Sequence, residues 1–267
     1  MSNRKLYSER MGKKHNLDDL KDGFIVVYNK LREKKYFHQA AGFIGFSGWL
    51  YEGIWGKDRS GFIFLETGIK NSYPFIDNIK KWDEMELFTI IEFLYDYVSV
   101  EYNLGDGTYS YENKLARAEY IANINKLLGV YKNGYELREN GEIYEKIPSG
   151  LDNLINIEIK TTDPKHLDER IKPAINKFLK YGSTLDDKKD AIRNLADVLE
   201  FLQKQNIKLP SKDDSDLFNI INGFDIRHNR QLQQGEYDKE IVYNWMFYTF
   251  LSSIHYLLEI NNKYKLT

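Results

Sequence analysis

The 267-residue chain is 42% hydrophobic and 15% aromatic, with 38 Lys and Arg against 40 Asp and Glu, a formal charge of −2. Such a composition builds a real core and excludes a disordered chain or an overall basic nucleic-acid glove, so any basic site is local. The absence of cysteine excludes disulfides, thiolate metal sites and a cysteine nucleophile.

The length suits one large or two ordinary domains, and 20 Tyr and 15 Phe against 5 Pro favour long helices. The first residues, MSNRKLYSERMGKKHN, lack an apolar h-region. No stretch approaches the ~18 uncharged apolar residues of a membrane span, so a cytoplasmic protein is expected, without a membrane partner. Arg4, Lys5, Arg10, Lys13 and Lys14 stand against Glu9 alone. They read as a solvated leader, with a phosphate-contacting arm as the alternative.

LDDLKDGFIVVYNKLREKKYF places Leu17, Leu20, Phe24, Val27 and Leu31 at three- and four-residue steps, with acids early and bases late. This predicts an amphipathic helix aligned with its dipole. His38, just after it, reads as a hydrogen-bonded structural residue. The following AAGFIGFSGWLYEGIWGKDRSGF holds Gly42, Gly45, Gly48, Gly53, Gly56 and Gly61, with Gly68 nearby, and Trp49 and Trp55. Glycine at this density predicts close backbone packing or irregular structure. The spacings of a P-loop and of a dinucleotide fingerprint are both absent. The tryptophans read as packed core, with base stacking as the alternative.

WDEMELFTIIEFLYDYVSVEY predicts a helix capped by Asp83, with Leu87, Ile91, Leu94 and Val98 on one stripe. LGDGTYSYEN reads as a loop. KLARAEYIANINKLLGV predicts a second helix with Leu115, Ala118, Ile121, Asn125 and Leu128 inward, ended by Gly129. GYELRENGEIYEKI predicts a β-hairpin turning at Asn140-Gly141, with Tyr135 and Leu137 on one arm and Ile143 and Ile147 on the other.

A domain boundary is predicted in IPSGLDN, residues 147–153. Beyond it, helices are predicted from Asp163-Pro164, from Ser183 or Thr184, and from Ser211 with Asp213 and Asp214. The second carries the ridge Ile192, Leu195, Leu199, Leu202. The third carries Leu217, Ile220, Ile221 and Phe224. EYDKEIVYNWMFYTFLSSIHYLLEI is apolar on nearly every face, as a helix buried in a bundle or covering an oligomer interface is. The expected fold is mostly α: an N-terminal helical domain with a small β-hairpin, residues 1–150, then a helical bundle, residues 151–267.

Arg227, His228, Asn229 and Arg230 follow this third helix and form the densest run of side chains able to bind phosphate or move protons. At helical spacing Arg227 and His228 leave the bundle beside its apolar stripe. An arginine fork matches a phosphodiester and stabilises charge developing on it. A histidine takes or gives a proton near neutral pH, and Asn229 orients either. The structural alternative is a polar helix end that favours basic residues through its dipole. Of the other histidines, His255 reads as core and His15 and His166 as surface. No carboxylate cluster with metal spacing lies near residues 227–230, so neither metal nor cofactor is expected. HEXXH, GxSxG and DxDxDG are absent.

The succession of a helical region, a small hairpin, and then DDKKDAIRNLADVLEFL, DLFNIINGFDIRHNR and WMFYTFLSSIHYLL resembles bacterial abortive-infection proteins with a C-terminal HEPN domain. KLYSERMG and INKLLGVYKNGYELRENGEI are similar to the N-terminal domain that accompanies HEPN in some of them. The likeness spans most of the chain and is tightest over residues 163–262. It implies a four- or five-helix bundle that forms homodimers and acts as a metal-independent endoribonuclease in phage defence or a toxin system. The family's signature runs from an Arg and a polar residue to a later His. Its Arg falls on Arg227 and its polar position on His228, while Gln231, Leu232, Gln233 and Gln234 stand where the closing His belongs. The resemblance thus implies Arg227 at the scissile phosphate of RNA, His228 as base or acid, and Asn229 and Arg230 binding substrate. Its non-catalytic relatives bind nucleic acid, nucleotides or proteins.

Overall fold

A computed structural model describes residues 14–45, 48, 50–105, 107–147, 151, 154, 167–224, 226 and 237–265. The chain divides into two compact units, Met1–Lys146 and Ile147–Thr267. The mostly helical fold expected from the sequence is present, with small two-stranded antiparallel hairpins.

In the first unit, α1 (Leu17–Glu33) starts at a capping box in which Asn16 and Asp19 each accept the other's backbone N–H. Its stripe Leu20, Phe24, Val27, Tyr28 and Leu31 is buried. A short α2 (His38–Ala41) leads into the hairpin β1 (Phe43–Ile44) and β2 (Leu50–Tyr51). The glycine-rich segment holds a close backbone approach, as the sequence predicts. A Cβ on Gly53 would lie 2.2 Å from both the Ala40 carbonyl oxygen and the Gly42 nitrogen. That approach lets Ile54 and Trp55 donate their N–H groups to Gln39 and Ala40, which seats Trp55 in the core at 1% exposure. Trp49 lies outside the described residues.

Where the sequence predicts close backbone packing or irregular structure up to Phe62, α3 (Arg59–Thr67) forms, capped by Asp58 on the Gly61 N–H and ended by the left-handed Gly68. Next come α4 (Phe75–Asn78), a 3-10 turn, and α5 (Glu84–Tyr97), whose Asp83–Glu86 capping box matches expectation. The helix stops at Tyr97, short of the predicted span. Residues beyond it, and the segment read as a loop, pair instead as β3 (Val100–Asn103) with β4 (Tyr109–Glu112). Gly105 and Gly107, at φ 89° and 88°, make the turn between them. Glu101 and Asn103 face Tyr111 and Tyr109, an alternation set by large tyrosines rather than by aliphatics.

Helix α6 (Asn113–Leu128) is rotated by about one position from the predicted face: Ala116, Tyr120, Ile124 and Leu128 are buried, and Leu115 is 61% exposed. Tyr120 decides this, because its ring fills the core while its hydroxyl donates to the Ile91 carbonyl at 2.8 Å. The hairpin β5 (Tyr135–Leu137) and β6 (Ile143–Glu145) forms where predicted, with Leu137 opposite Ile143 and Gly141 at φ 83°, but β6 ends at Glu145, short of the Ile147 assigned to its arm.

In the second unit, α7 (Asp168–Leu179) and α10 (Lys239–Lys265) both pack on α8 (Leu185–Lys204), and α9 (Ser211–Gly223) is joined to α8 by Gln203 Nε2 donating to Asp214 Oδ2 at 2.7 Å. The predicted start at Asp163-Pro164 lies outside the described residues. Helix α8 begins at a Thr184–Asp187 capping box and buries the predicted ridge together with Ala191, Ala196 and Val198. Those small residues let α7 approach on one side and α10 on the other, while Phe178 of α7 stacks on Phe247 of α10 at 3.9 Å. Helix α10 buries Tyr243, Met246, Phe247, Phe250, Leu251, Ile254, Leu257 and Leu258.

The close approach at Gly53 yields a direct expectation. Gly53→Ala has no room, because backbone stands on both sides, and lowers the unfolding free energy by about 3 kcal/mol. Gly223→Ala, with nothing within 4 Å of the added carbon, is neutral or stabilising by up to ~1 kcal/mol. Chemical denaturation of the two variants beside the parent checks this ordering.

Candidate functional site

The cluster read from the sequence follows α9, and the structure corrects how it is reached. The helix ends at Gly223, and Phe224 is extended at φ −96°, ψ 159°. The helical register expected to carry Phe224 on to Arg227 and His228 is therefore broken before the cluster. Glycine favours the stop, and the buried position of Ile226, 0% exposed, draws the chain back onto the bundle. Arg227, His228, Asn229 and Arg230, with the Gln231–Gln234 stretch, lie outside the described residues. What the structure does describe is how the chain is held on either side of them.

Arg193 of α8 holds the upstream side. Its Nε and Nη2 donate to the Ile226 carbonyl at 3.0 and 2.9 Å, and its Nη1 donates to Asp190 Oδ1 at 2.6 Å. The planar fork thus clamps a backbone carbonyl while a carboxylate one turn away orients it. Lys177 of α7 reaches the other oxygen of Asp190 at 3.8 Å. On the downstream side, Tyr237 meets Phe224 edge-on at 5.1 Å, and Phe224 also meets Trp245 at 6.2 Å. Asp238 then accepts the Ile241 N–H at 3.1 Å at the start of α10.

Residues 227–236 are therefore bracketed by two fixed points, one ring contact apart, at the α9–α10 corner of the bundle. Arg193 escaped the sequence reading because its acceptor is a main-chain carbonyl 33 residues away, and no side-chain pattern signals that. Its place within the ridge segment DAIRNLADVL was the single available hint.

The remaining sequence candidates separate cleanly. His38 Nδ1 lies 2.8 Å from Glu101 Oε2 and its ring stacks on Phe43 at 4.4 Å, a position held on two sides. The His15 N–H donates to the Val130 carbonyl at 2.9 Å. His255 is part-buried on α10, and His166 lies outside the described residues. A groove of about 240 Å³ between α7 and α8 is lined by Arg170, Asp197, Glu200, Phe201 and Lys204. Its two acids and two bases offset one another, leaving no field for a polyanion. Among the described residues no group of three or more acidic or histidine side chains is placed to hold a metal ion, and no helix is long and apolar enough to cross a membrane. No family model matches the chain, and neither the curated proteins nor the solved structures return a match.

The Arg193 clamp predicts a local effect. Arg193→Gln strips the Ile226 carbonyl of two charge-assisted bonds and lowers stability by roughly 1–3 kcal/mol. Hydrogen exchange followed by mass spectrometry then shows faster exchange in peptides containing Phe224, Ile226 and Tyr237, with those from the first unit unchanged. Equal exchange in parent and variant removes the clamp from any role in holding this corner.

Proposed function

We propose that the second unit is a HEPN-like RNA-directed module: a metal-independent endoribonuclease of bacterial phage defence, acting in the cytoplasm as a homodimer. Arg227 engages the scissile phosphate, and His228 serves as general base or acid on the ribose 2′-hydroxyl or the leaving oxygen. Asn229 and Arg230 hold the substrate strand. The observation that carries this reading is the clamp of Arg193 on Ile226, the residue directly before Arg227. A polar segment that only finished a helix would have no need of a guanidinium fixing the backbone at its root, whereas catalytic side chains do need a rigid base. The resemblance of DLFNIINGFDIRHNR to the HEPN signature supports the chemistry assigned.

A second reading has its own observation. Gln231, Leu232, Gln233 and Gln234 stand where the signature's closing histidine belongs, which favours a module that grips RNA or a nucleotide phosphate without cutting it. Support for dimerisation comes from α10. Ile241, Trp245 and Tyr256, at 67%, 46% and 49% exposure, lie on one face of a helix whose other faces are buried. A two-fold pairing of that face brings two copies of the cluster into one assembly.

The readings part in one assay. Total RNA and tRNA incubated with the protein in EDTA are cleaved, and Arg227→Ala or His228→Ala each lowers the rate by about 100-fold or more. RNA that stays intact but shifts in a native gel selects the binding reading, and RNA neither cut nor shifted overturns both. For the assembly, Trp245→Glu converts a dimer to a monomer by light scattering, with the helical circular dichroism kept. A parent that is already monomeric removes the dimer from the proposal.

A further inference from the structure

Five buried side-chain polar atoms lack a partner among the described residues: Asn29 Oδ1, Trp55 Nε1, Arg59 Nε, Ser72 Oγ and Ser99 Oγ. Three of them gather around one residue of the first unit, Tyr73. Trp55 meets the Tyr73 ring edge-on at 6.1 Å. Arg59 donates from Nη1 to the Tyr73 hydroxyl at 3.4 Å, with its guanidinium 5.7 Å from the ring centre. Ser72 is the preceding residue and is fully buried. Buried polar groups are almost always satisfied, and an unmet donor costs stability. Here the unmet groups are an indole N–H, a guanidinium N–H and a hydroxyl. All three can donate, so what they share a need for is an acceptor.

The charge of the cluster points the same way. Arg59 forms no ion pair with any described carboxylate, and neither does Arg32, one turn beyond Tyr28 on α1. The nearest acid in sequence, Asp58, is committed to the Gly61 N–H at 2.8 Å. Tyr28 and Tyr73 both set their rings against Phe75, at 5.4 Å in each case, which brings the two hydroxyl-bearing side chains to the same part of the core. Burial and the neighbouring Tyr73 hold the Tyr28 hydroxyl well above its ordinary pKa, with Arg32 and Arg59 pulling the other way. It remains a protonated donor through the neutral range.

We infer that Arg59, with Arg32, Trp55, Ser72 and the Tyr28 and Tyr73 hydroxyls, forms a binding site for a phosphate dianion, either inorganic phosphate or the monoester group of a small molecule. Arg59 without a counter-carboxylate, with the exposed Arg32 within electrostatic reach of Tyr28, suits an anion of more than one charge, and the three terminal oxygens of a phosphate accept from several donors at once. A carboxylate offers one charge and two oxygens. The site gives the glycine- and tryptophan-rich segment a ligand-binding role that stands independently of any RNA chemistry in the second unit.

The test is equilibrium dialysis of the full chain with labelled inorganic phosphate, in a chloride buffer of fixed ionic strength at neutral pH. The parent binds phosphate saturably. Arg59→Gln weakens binding at least tenfold, Ser72→Ala weakens it severalfold, and Lys126→Gln, an exposed cation of α6, leaves it within twofold. Acetate at the same concentration competes poorly. Should Arg59→Gln lose its helical circular dichroism, Arg59→Lys takes its place, keeping the charge and losing the fork, and the same tenfold loss is expected. Absence of saturable binding by the parent overturns the site. So does equal binding by the Arg59 variant that folds, or a loss in Lys126→Gln as large as in the Arg59 variant. Acetate competing as well as phosphate overturns the choice of ligand.

Discussion

Helix α8 has to bury two sides at once, and the second unit is built around that demand. A helix of a two-layer packing needs one apolar stripe; α8 presents the leucine ridge of Leu195, Leu199 and Leu202 together with Ala191, Ala196 and Val198. Alanines at the contact bring neighbouring axes close, and the leucines fill the space on either side. With α7 and α10 both seated on α8, Phe178 and Phe247 are brought face to face at 3.9 Å. Removing volume from α8 therefore loosens two interfaces.

The polar edge of the same helix then does something the apolar ridge cannot. Arg193 sits one residue after the buried Ile192, so its stem runs along the packed surface before the guanidinium turns to the Ile226 carbonyl. A main-chain carbonyl is a uniform acceptor, indifferent to the side chain it belongs to. A fork aimed at one fixes backbone position rather than residue identity. Together with the Phe224–Tyr237 contact, this fixes the described backbone on either side of residues 227–236.

What was legible in the sequence was what the sequence encodes locally. The Asp83–Glu86 and Thr184–Asp187 boxes close within one turn, and Asn140-Gly141 marks the turn of its hairpin, where Gly141 takes φ 83°. Two of the misreadings share a cause in tyrosine, which reads as polar in one frame and as core in another. Tyr120 turns α6 by burying its ring and satisfying its hydroxyl on Ile91, and the alternation of Tyr109 and Tyr111 disguised β4 as a loop. At the candidate site the residue types of Arg227 to Arg230 were visible at once. The clamp beside them was not, because Arg193 looks like any solvent-facing cation until its acceptor is placed next to it.

That distinction between cations that are spoken for and cations that are not organises the first unit as well. Lys30 and Lys34 converge on Glu119, Lys35 on Glu101, Lys80 on Asp22, Arg117 on Asp96 and Arg138 on Glu136. The exposed pairs among them contribute little to stability, but all of them cancel the field of each base over a few ångströms. Arg59 lies outside this pattern, in a chain whose acids slightly outnumber its bases. It is part-buried against tyrosines, and a donor of its own is unmet. Surface chance accounts for an unpaired lysine on a flexible stem. It does not account for a part-buried guanidinium held against the Tyr73 ring, where desolvation is costly and a counter-carboxylate would be the ordinary remedy. Leaving that position to an anion from outside is the arrangement under which its burial becomes favourable.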